Sequence, residues 1–198
     1  MVVLIICYNR AHNLKAWEAA WEKMDTTGCE LVFAITSDME YNTKHDVVRY
    51  PNVGMDMGAL KRFIDSESNY GRLMWCPDDF LPLRPDLFQL YDTADVVGTF
   101  WSTQTSSHIR SGGVAITEQV AKALIFPPTL LTSRSRGKAN CYDFEHLRCN
   151  FYRKLKYKFS IKMVDGTTPP NSPHWEDVSQ EYLKAAQGSQ EIKYDCPF

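Results

Sequence analysis

The chain has 198 residues, of which 44% are hydrophobic and 23% charged, an ordinary globular balance that supports one domain with a real apolar core. Its formal net charge of −2 offers no broad cationic surface to displace counterions from a polyanion, which argues against a general nucleic-acid binder. No apolar run reaches the ~18 residues of a membrane span, and no basic or leader-like segment precedes the first strand, so a soluble, cytoplasmic protein is expected.

Val2 to Cys7 (VVLIIC) is a continuous β-branched and aliphatic run, the pattern of a strand buried on both faces of a parallel sheet. The polar turn YNRAHN leads into a helix, in which Leu14, Trp17, Ala20, Trp21 and Met24 recur at three- and four-residue spacing and Asn13 is available as N-cap. Gly28 ends that segment. Glu30 to Ser37 (ELVFAITS) reads as a second buried strand closed by Asp38, and a polar connection then runs through Val47 and Val48 to the turn PNVG.

A helix over Met57 to Ile64 follows, entered through Asp56 and Gly58. The strand Arg72 to Cys76 ends at Pro77 on two adjacent carboxylates, Asp78 and Asp79. Open α/β sheets place their ligands outside the carboxyl ends of the strands, and two hard oxygen donors there suit Mg²⁺ or Mn²⁺ held against a diphosphate. The simpler reading is an acidic turn before the short helix that Pro85 opens. Strands at Asp95 to Phe100 and Ser111 to Ile116, a helix from Thr117 to Ile125 capped by Thr117, an aperiodic polar stretch to Asn140, a helix over Tyr142 to Leu155 and a strand at Phe159 to Val164 complete the chain. This alternation predicts an α/β fold with a mostly parallel central sheet flanked by helices, formed as a single domain over residues 1–198.

Six cysteines (Cys7, Cys29, Cys76, Cys141, Cys149, Cys196) lack CxxC spacing and read as reduced thiols. Trp17 and Trp21 lie on the helical stripe and read as core. Trp75, Trp101 and Trp175 are placed to line an apolar sugar face.

An apolar strand ending in Tyr8-Asn9-Arg10, a second ending in Asp38, an N-x-G turn with a following helix, and a strand ending in Asp78-Asp79 stand in an order that resembles the GT-A nucleotide-sugar glycosyltransferases. The resemblance continues through Ser111-Gly112-Gly113-Val114-Ala115-Ile116 and Tyr142-Asp143-Phe144-Glu145, and covers most of residues 2 to 155. In size the chain is also similar to the small virus-encoded glycosyltransferases that build capsid glycans.

The resemblance implies a Rossmann-like GT-A domain with a nucleotide-binding half at residues 1–83 and an acceptor-binding half at 84–198. The donor is then a UDP- or GDP-linked sugar and the acceptor a glycan or glycoprotein. Asp79 is expected to ligate the metal directly. Asp78 would reach the ribose or a metal-bound water, since the family's DxD is here an x-Asp-Asp variant. Tyr8, Asn9 and Arg10 would meet the nucleoside and its phosphates, Asp38 the base or ribose, and Arg62, one turn after Gly58, the diphosphate or sugar. Gly112 and Gly113 would let a sugar approach the backbone. Asp143 would be the base of an inverting transfer, with Glu145 as substitute or acceptor contact, and His174 would reach the metal. Each has a plainer reading: a loop acid for Asp38, a surface ion pair for Arg62 with Asp65 or Glu67, helix-start charges for Asp143 and Glu145, a loop histidine for His174. Two other functions compete, a nucleotidyltransferase of related topology and a nucleotide- or carbohydrate-binding module without turnover. The first usually carries a glycine-rich basic loop where this chain has YNRAHN.

Overall fold

The opening apolar run forms β1 (Val2–Cys7), and every residue of it is buried. In the computed structural model, which describes residues 1–82, 84–98, 101–102, 108–109, 113–124, 126 and 159–164, β1 stands near the middle of a seven-stranded sheet. Helix α1 (Ala11–Trp21) leads from it to β2 (Glu30–Ile35), and β3 (Asp46–Arg49) follows. Helix α2 (Met55–Ser66) then crosses back to β4 (Arg72–Pro77). A short helix, α3 (Leu87–Leu90), precedes β5 (Val96–Gly98), and β6 (Trp101–Ser102) pairs with β7 (His108–Ile109) in a separate two-stranded sheet. Strand β8 (Val114–Thr117), helix α4 (Glu118–Ala123) and β9 (Ile161–Met163) complete the described elements.

The main sheet has the order β3-β2-β1-β4-β8-β5-β9. β1, β2, β3 and β4 run parallel, and β8 runs antiparallel to both β4 and β5, while β9 returns parallel to β5. The fold is therefore the expected mixed α/β, Rossmann-like arrangement with a mostly parallel central sheet, in which β8 is the one reversed strand of the main sheet among the described residues. Crossovers in parallel sheets are right-handed. The step from β1 to β2 goes one way along the sheet and the step from β3 to β4 goes the other, so α1 and α2 cover opposite faces. Phe33 meets Tyr41 and His45 on the face where Trp21 also meets His45, and its neighbour Val32 shares a groove with Phe63 of α2 on the other.

Large apolar side chains fill both layers, with Trp17, Phe33, Trp75, Phe88 and Tyr91 completely buried. Trp75, expected at a sugar-facing surface, is instead a core residue of β4, because its strand is covered on both faces. The side chains of Trp101 and Trp175 lie outside the described residues. Trp17 and Trp21 are core as expected, and Cys7, Cys29 and Cys76 are free thiols.

Three local departures from the sequence pattern have physical causes. The Val47-Val48 segment, read as connection, is β3: four residues are too few to show periodicity, and pairing with β2 makes the strand. Helix α1 starts two residues before Asn13, which lies inside its first turn and is fully buried rather than capping it. Helix α2 begins earlier than expected because Gly54 takes a left-handed conformation, φ 80°, and the chain turns there. Thr117 caps α4 as predicted, its side chain accepting from the Val120 amide.

Candidate functional site

Four parallel strands deliver their carboxyl ends to one edge, and backbone hydrogen bonds continue the ladder past three of them, β2, β3 and β4. The Thr36 amide donates to the Cys7 carbonyl at 2.9 Å, the Tyr50 amide to Ile35 at 3.0 Å, and the Asp78 amide to Ile6 at 3.1 Å. The residue after each of these three strands is thereby fixed to its neighbour. Since the crossovers leave β1 and enter β4 on opposite faces, the gap between these strands is the switch point at which open α/β sheets form a crevice.

Arg10, Asn13, Asp78 and Asp79 meet at that gap. Asp78 is 1% exposed and both of its carboxylate oxygens are engaged: Arg10 Nη2 donates to Oδ1, and Asn13 Nδ2 donates to Oδ2 at 3.1 Å. Asp79 is 17% exposed, and Arg10 Nη1 lies 3.5 Å from its Oδ2, close enough for charge attraction but loose for a hydrogen bond. Three buried atoms there have no hydrogen-bond partner, Asp79 Oδ1, Arg10 Nη1 and Asn13 Oδ1. Burial raises the pKa of Asp78 and the Asp79 charge adds to this, against the pull of Arg10. Burial disfavours the Arg10 cation, but Asp78 and Asp79 outweigh it and hold the guanidinium charged. Beneath them burial pushes the Cys7 thiol far up, and Asp78 pushes the same way.

On the other side of the β1 exit lies a cavity of about 710 Å³, within the usual range for small-ligand sites. Tyr8 forms one wall, 41% exposed in spite of its size. Thr36, Ser37, Asp38 and Glu40 come from the end of β2, and Arg49 to Asn52 from the end of β3. The β2–β3 loop is tied down along its length. Ser37 Oγ donates to the Tyr8 carbonyl and accepts from the Met39 amide, Arg49 Nη1 donates to the Met39 carbonyl at 2.8 Å, and Glu18 of α1 accepts from the hydroxyls of Tyr41 and Thr43. The cavity wall is thus held by side chains rather than by regular structure.

Of the residues singled out from sequence, Tyr8 and Asp38 line the cavity, Asn9 is exposed at the β1 exit, and Arg10, Asp78 and Asp79 form the charged cluster. Gly113 (φ 90°) precedes β8, whose pairing of Val114 with Trp75 sets it level with Cys76, two residues before Asp78. Gly58 is buried in α2, where a Cβ would stand 1.9 Å from the Val53 carbonyl oxygen. Arg62 donates to that same carbonyl at 2.8 Å. On this helix Lys61, not Arg62, pairs with Asp65. Gly112, Asp143, Glu145 and His174 lie outside the described residues. Sequence reasoning did not single out Glu40, Arg49 and Tyr50 for the cavity or Asn13 for the cluster. Asn13 follows Arg10 by three residues, a helical spacing that shares a face with it, and that was its one available signal.

Among the described residues no group of three or more His, Cys, Asp or Glu side chains is placed to hold a metal ion by itself. A single carboxylate nevertheless fits Mg²⁺ or Mn²⁺ when the remaining ligands are phosphate oxygens and water. The unpartnered Asp79 Oδ1 is a donor of that kind; both Asp78 oxygens are already used.

No family model matches the chain, and no curated protein matches it. Solved structures do. A mutant Drosophila β-1,4-galactosyltransferase 7 in complex with manganese, UDP-Gal and xylobiose aligns over 87% of this chain and 66% of its own, with 11% identity and a TM-score of 0.51. The apo-form glycosyltransferase GlyE of Streptococcus pneumoniae aligns over 81% of this chain and 44% of its own, with 10% identity and a TM-score of 0.51. Staphylococcus aureus TarS aligns over 73% and 53%, with 13% identity and a TM-score of 0.50. The chain therefore spans about half to two thirds of the length of these structures. Likeness at such identity is likeness of fold, and it agrees with the mixed α/β architecture described above.

Proposed function

We propose that the chain is a divalent-metal-dependent glycosyltransferase that moves a hexosyl or deoxyhexosyl group from a UDP- or GDP-linked donor to a glycan or glycoprotein acceptor. One juxtaposition carries this reading: a cavity large enough for a nucleoside opens on one side of the β1 exit, and an unpartnered carboxylate oxygen, Asp79 Oδ1, stands on the other. A nucleoside diphosphate spans such a gap, with the base and ribose among Tyr8, Asp38 and Arg49 and the phosphates reaching Arg10 and Asp79. That Drosophila galactosyltransferase 7, of the same fold, is described with UDP-Gal and manganese is consistent with this placement.

In this reading Tyr8 offers an aromatic face to the base, and Asp38 and Glu40 accept hydrogen bonds from the base or ribose. Asp78 serves by holding Arg10 in place. Asp79, and in the proposed full site His174, would hold a Mg²⁺ or Mn²⁺, whose chemistry there would be to offset charge on the departing diphosphate. Arg10 adds a fixed donor to the same leaving group. Asp143 deprotonates the acceptor hydroxyl on the face opposite the leaving group, which inverts the anomeric centre, and Glu145 positions acceptor hydroxyls. Gly112 and Gly113 leave room for the transferred sugar.

Calorimetric titration with UDP, GDP and their sugars, with Mn²⁺ and again with chelator, tests the donor site. Metal-dependent binding of one nucleotide is expected; no binding under any condition overturns the proposal. Once an acceptor is found, Asp143→Asn should leave donor affinity intact and lower kcat about 10²- to 10⁴-fold. Loss of donor binding in that variant would place Asp143 with the nucleotide instead.

A further inference from the structure

Two carboxylates and one guanidinium stand on the wall of the cavity beside the β1 exit, and most of their hydrogen-bonding capacity is unspent. Among the described residues Asp38 and Glu40 make no side-chain hydrogen bond or ion pair, and Arg49 is bonded only through Nη1, to the Met39 carbonyl at 2.8 Å. That carbonyl belongs to the peptide joining Met39 to Glu40, so the loop holds the Arg49 guanidinium beside the start of Glu40. The hydroxyls of the wall are engaged elsewhere. Thr36 Oγ1 donates to the Cys7 carbonyl at 3.3 Å, Ser37 Oγ donates to the Tyr8 carbonyl, and the Tyr50 hydroxyl meets Ser66 Oγ at 3.2 Å. A ligand filling this cavity therefore has to bring several N–H or O–H donors for the carboxylates and an acceptor edge for the guanidinium.

We infer that the cavity selects guanine over uracil, with Glu40 and Arg49 as the specificity-determining pair. The inference rests on the donor-site reading above and narrows its nucleotide to a guanosine diphosphate. Guanine carries N1–H and the 2-amino group side by side, two donors that one carboxylate accepts through both oxygens. Its O6 and N7 form an acceptor edge that suits a guanidinium. Uracil has one N–H, set between two carbonyls. A carboxylate that accepts from it presses its second oxygen toward O2 or O4, and one acceptor is left unpaired. Asp38 follows Ser37, which is tied to the β1 exit, so its carboxylate stands on the phosphate side and takes the ribose hydroxyls. Glu40 and Arg49, farther along the wall, bracket the base against the Tyr8 ring.

Calorimetry with GDP, IDP and UDP in the presence of Mn²⁺ tests this. IDP carries hypoxanthine, which keeps N1–H, O6 and N7 and lacks the 2-amino group. Wild type should bind GDP about 10- to 100-fold more tightly than UDP, and several-fold more tightly than IDP. Glu40→Gln replaces one acceptor by a donor. It should weaken GDP about tenfold, erase the preference for GDP over IDP, and strengthen UDP, whose N3–H and O4 match an amide. Arg49→Gln should weaken GDP and IDP by the same factor and leave UDP unchanged. Both side chains are exposed, so neither change threatens the fold. Tighter wild-type binding of UDP than of GDP overturns the inference while leaving the donor site standing. An unchanged GDP-to-IDP ratio in Glu40→Gln does the same, as does an equal loss of all three nucleotides in Arg49→Gln. Absence of binding by GDP and UDP alike overturns the donor site itself, and the inference with it.

Discussion

Asp78 and Asp79 are adjacent in sequence and opposite in circumstance. Asp78 follows β4 directly and its amide bonds to Ile6, so its side chain is drawn under the β1 exit, where Arg10 and Asn13 meet it. Asp79, one residue on, keeps one oxygen without a partner. Removing one member of a buried ion pair leaves the other charge uncompensated, which costs far more than the pair contributes when intact. Asp78→Ala should therefore destabilise the fold by about 3 kcal/mol, toward the lower end because Arg10 keeps a little solvent. Arg10→Met with Asp78→Leu should recover most of that loss. Urea unfolding of the two variants decides the matter; similar losses for both would mean that the pair is not what holds this corner. Asp79→Ala, by contrast, should shift the urea midpoint little while removing Mn²⁺-dependent nucleotide binding.

Among the elements, α2 depends most sharply on a single side chain's absence. Its first turn packs so closely on the preceding turn that a Cβ at Gly58 would overlap the Val53 carbonyl, which already accepts a hydrogen bond from Arg62. Gly58→Ala should cost about 1–3 kcal/mol, read from urea midpoints, even though alanine is the better helix former. No loss of stability would show that the turn moves freely. At the far end of the sheet, β5 and β9 are clamped by Asp95, which accepts from the Ser160 amide at 2.8 Å and from its hydroxyl at 2.7 Å. These two bonds lower the Asp95 pKa, the backbone one most. A depressed carboxylate pKa gives stability that is present above the ordinary aspartate value and lost as pH falls through the folded one. Wild type should then lose its advantage over Asp95→Asn as pH drops from about 6 to about 3. Urea midpoints for the two chains at each pH check this, and a constant difference would sink it.

For the whole molecule, Cys7 and Cys76 are useful reporters, since they sit on the two central strands β1 and β4 and both are 1% exposed. Burial pushes both thiols well above their ordinary range, and the site carboxylates push further. Thiolate is the reactive form. Alkylation of these two positions, followed by mass spectrometry of the peptides, should proceed only as fast as the sheet opens and should track urea unfolding by circular dichroism. Labelling of either in native conditions at the rate of an exposed thiol would mean that the central sheet opens locally.

The sheet's centre was legible because VVLIIC and ELVFAI are apolar without interruption, and only strands covered on both faces tolerate that. The carboxyl-edge position of Asp78 and Asp79 was legible for the related reason that Pro77 stops a buried strand there. What sequence could not supply was pairing. β3 owes its existence to β2, and Asn13 looked like a helix cap until Asp78 claimed its amide. Trp75 looked like a surface for sugar until β4 was covered on both faces. The cavity wall formed by Glu40, Arg49 and Tyr50 is assembled from two strand exits and a loop that Glu18 holds from another helix, and no periodicity records such a contact. The sequence by itself determined which segments must be buried and where their polar ends emerge, because hydrophobic burial is local and patterned. Only the tertiary structure decided which of two neighbouring aspartates has both oxygens taken by Arg10 and Asn13 and which keeps one oxygen without a hydrogen bond, because that choice depends on partners sixty-odd residues away in the chain.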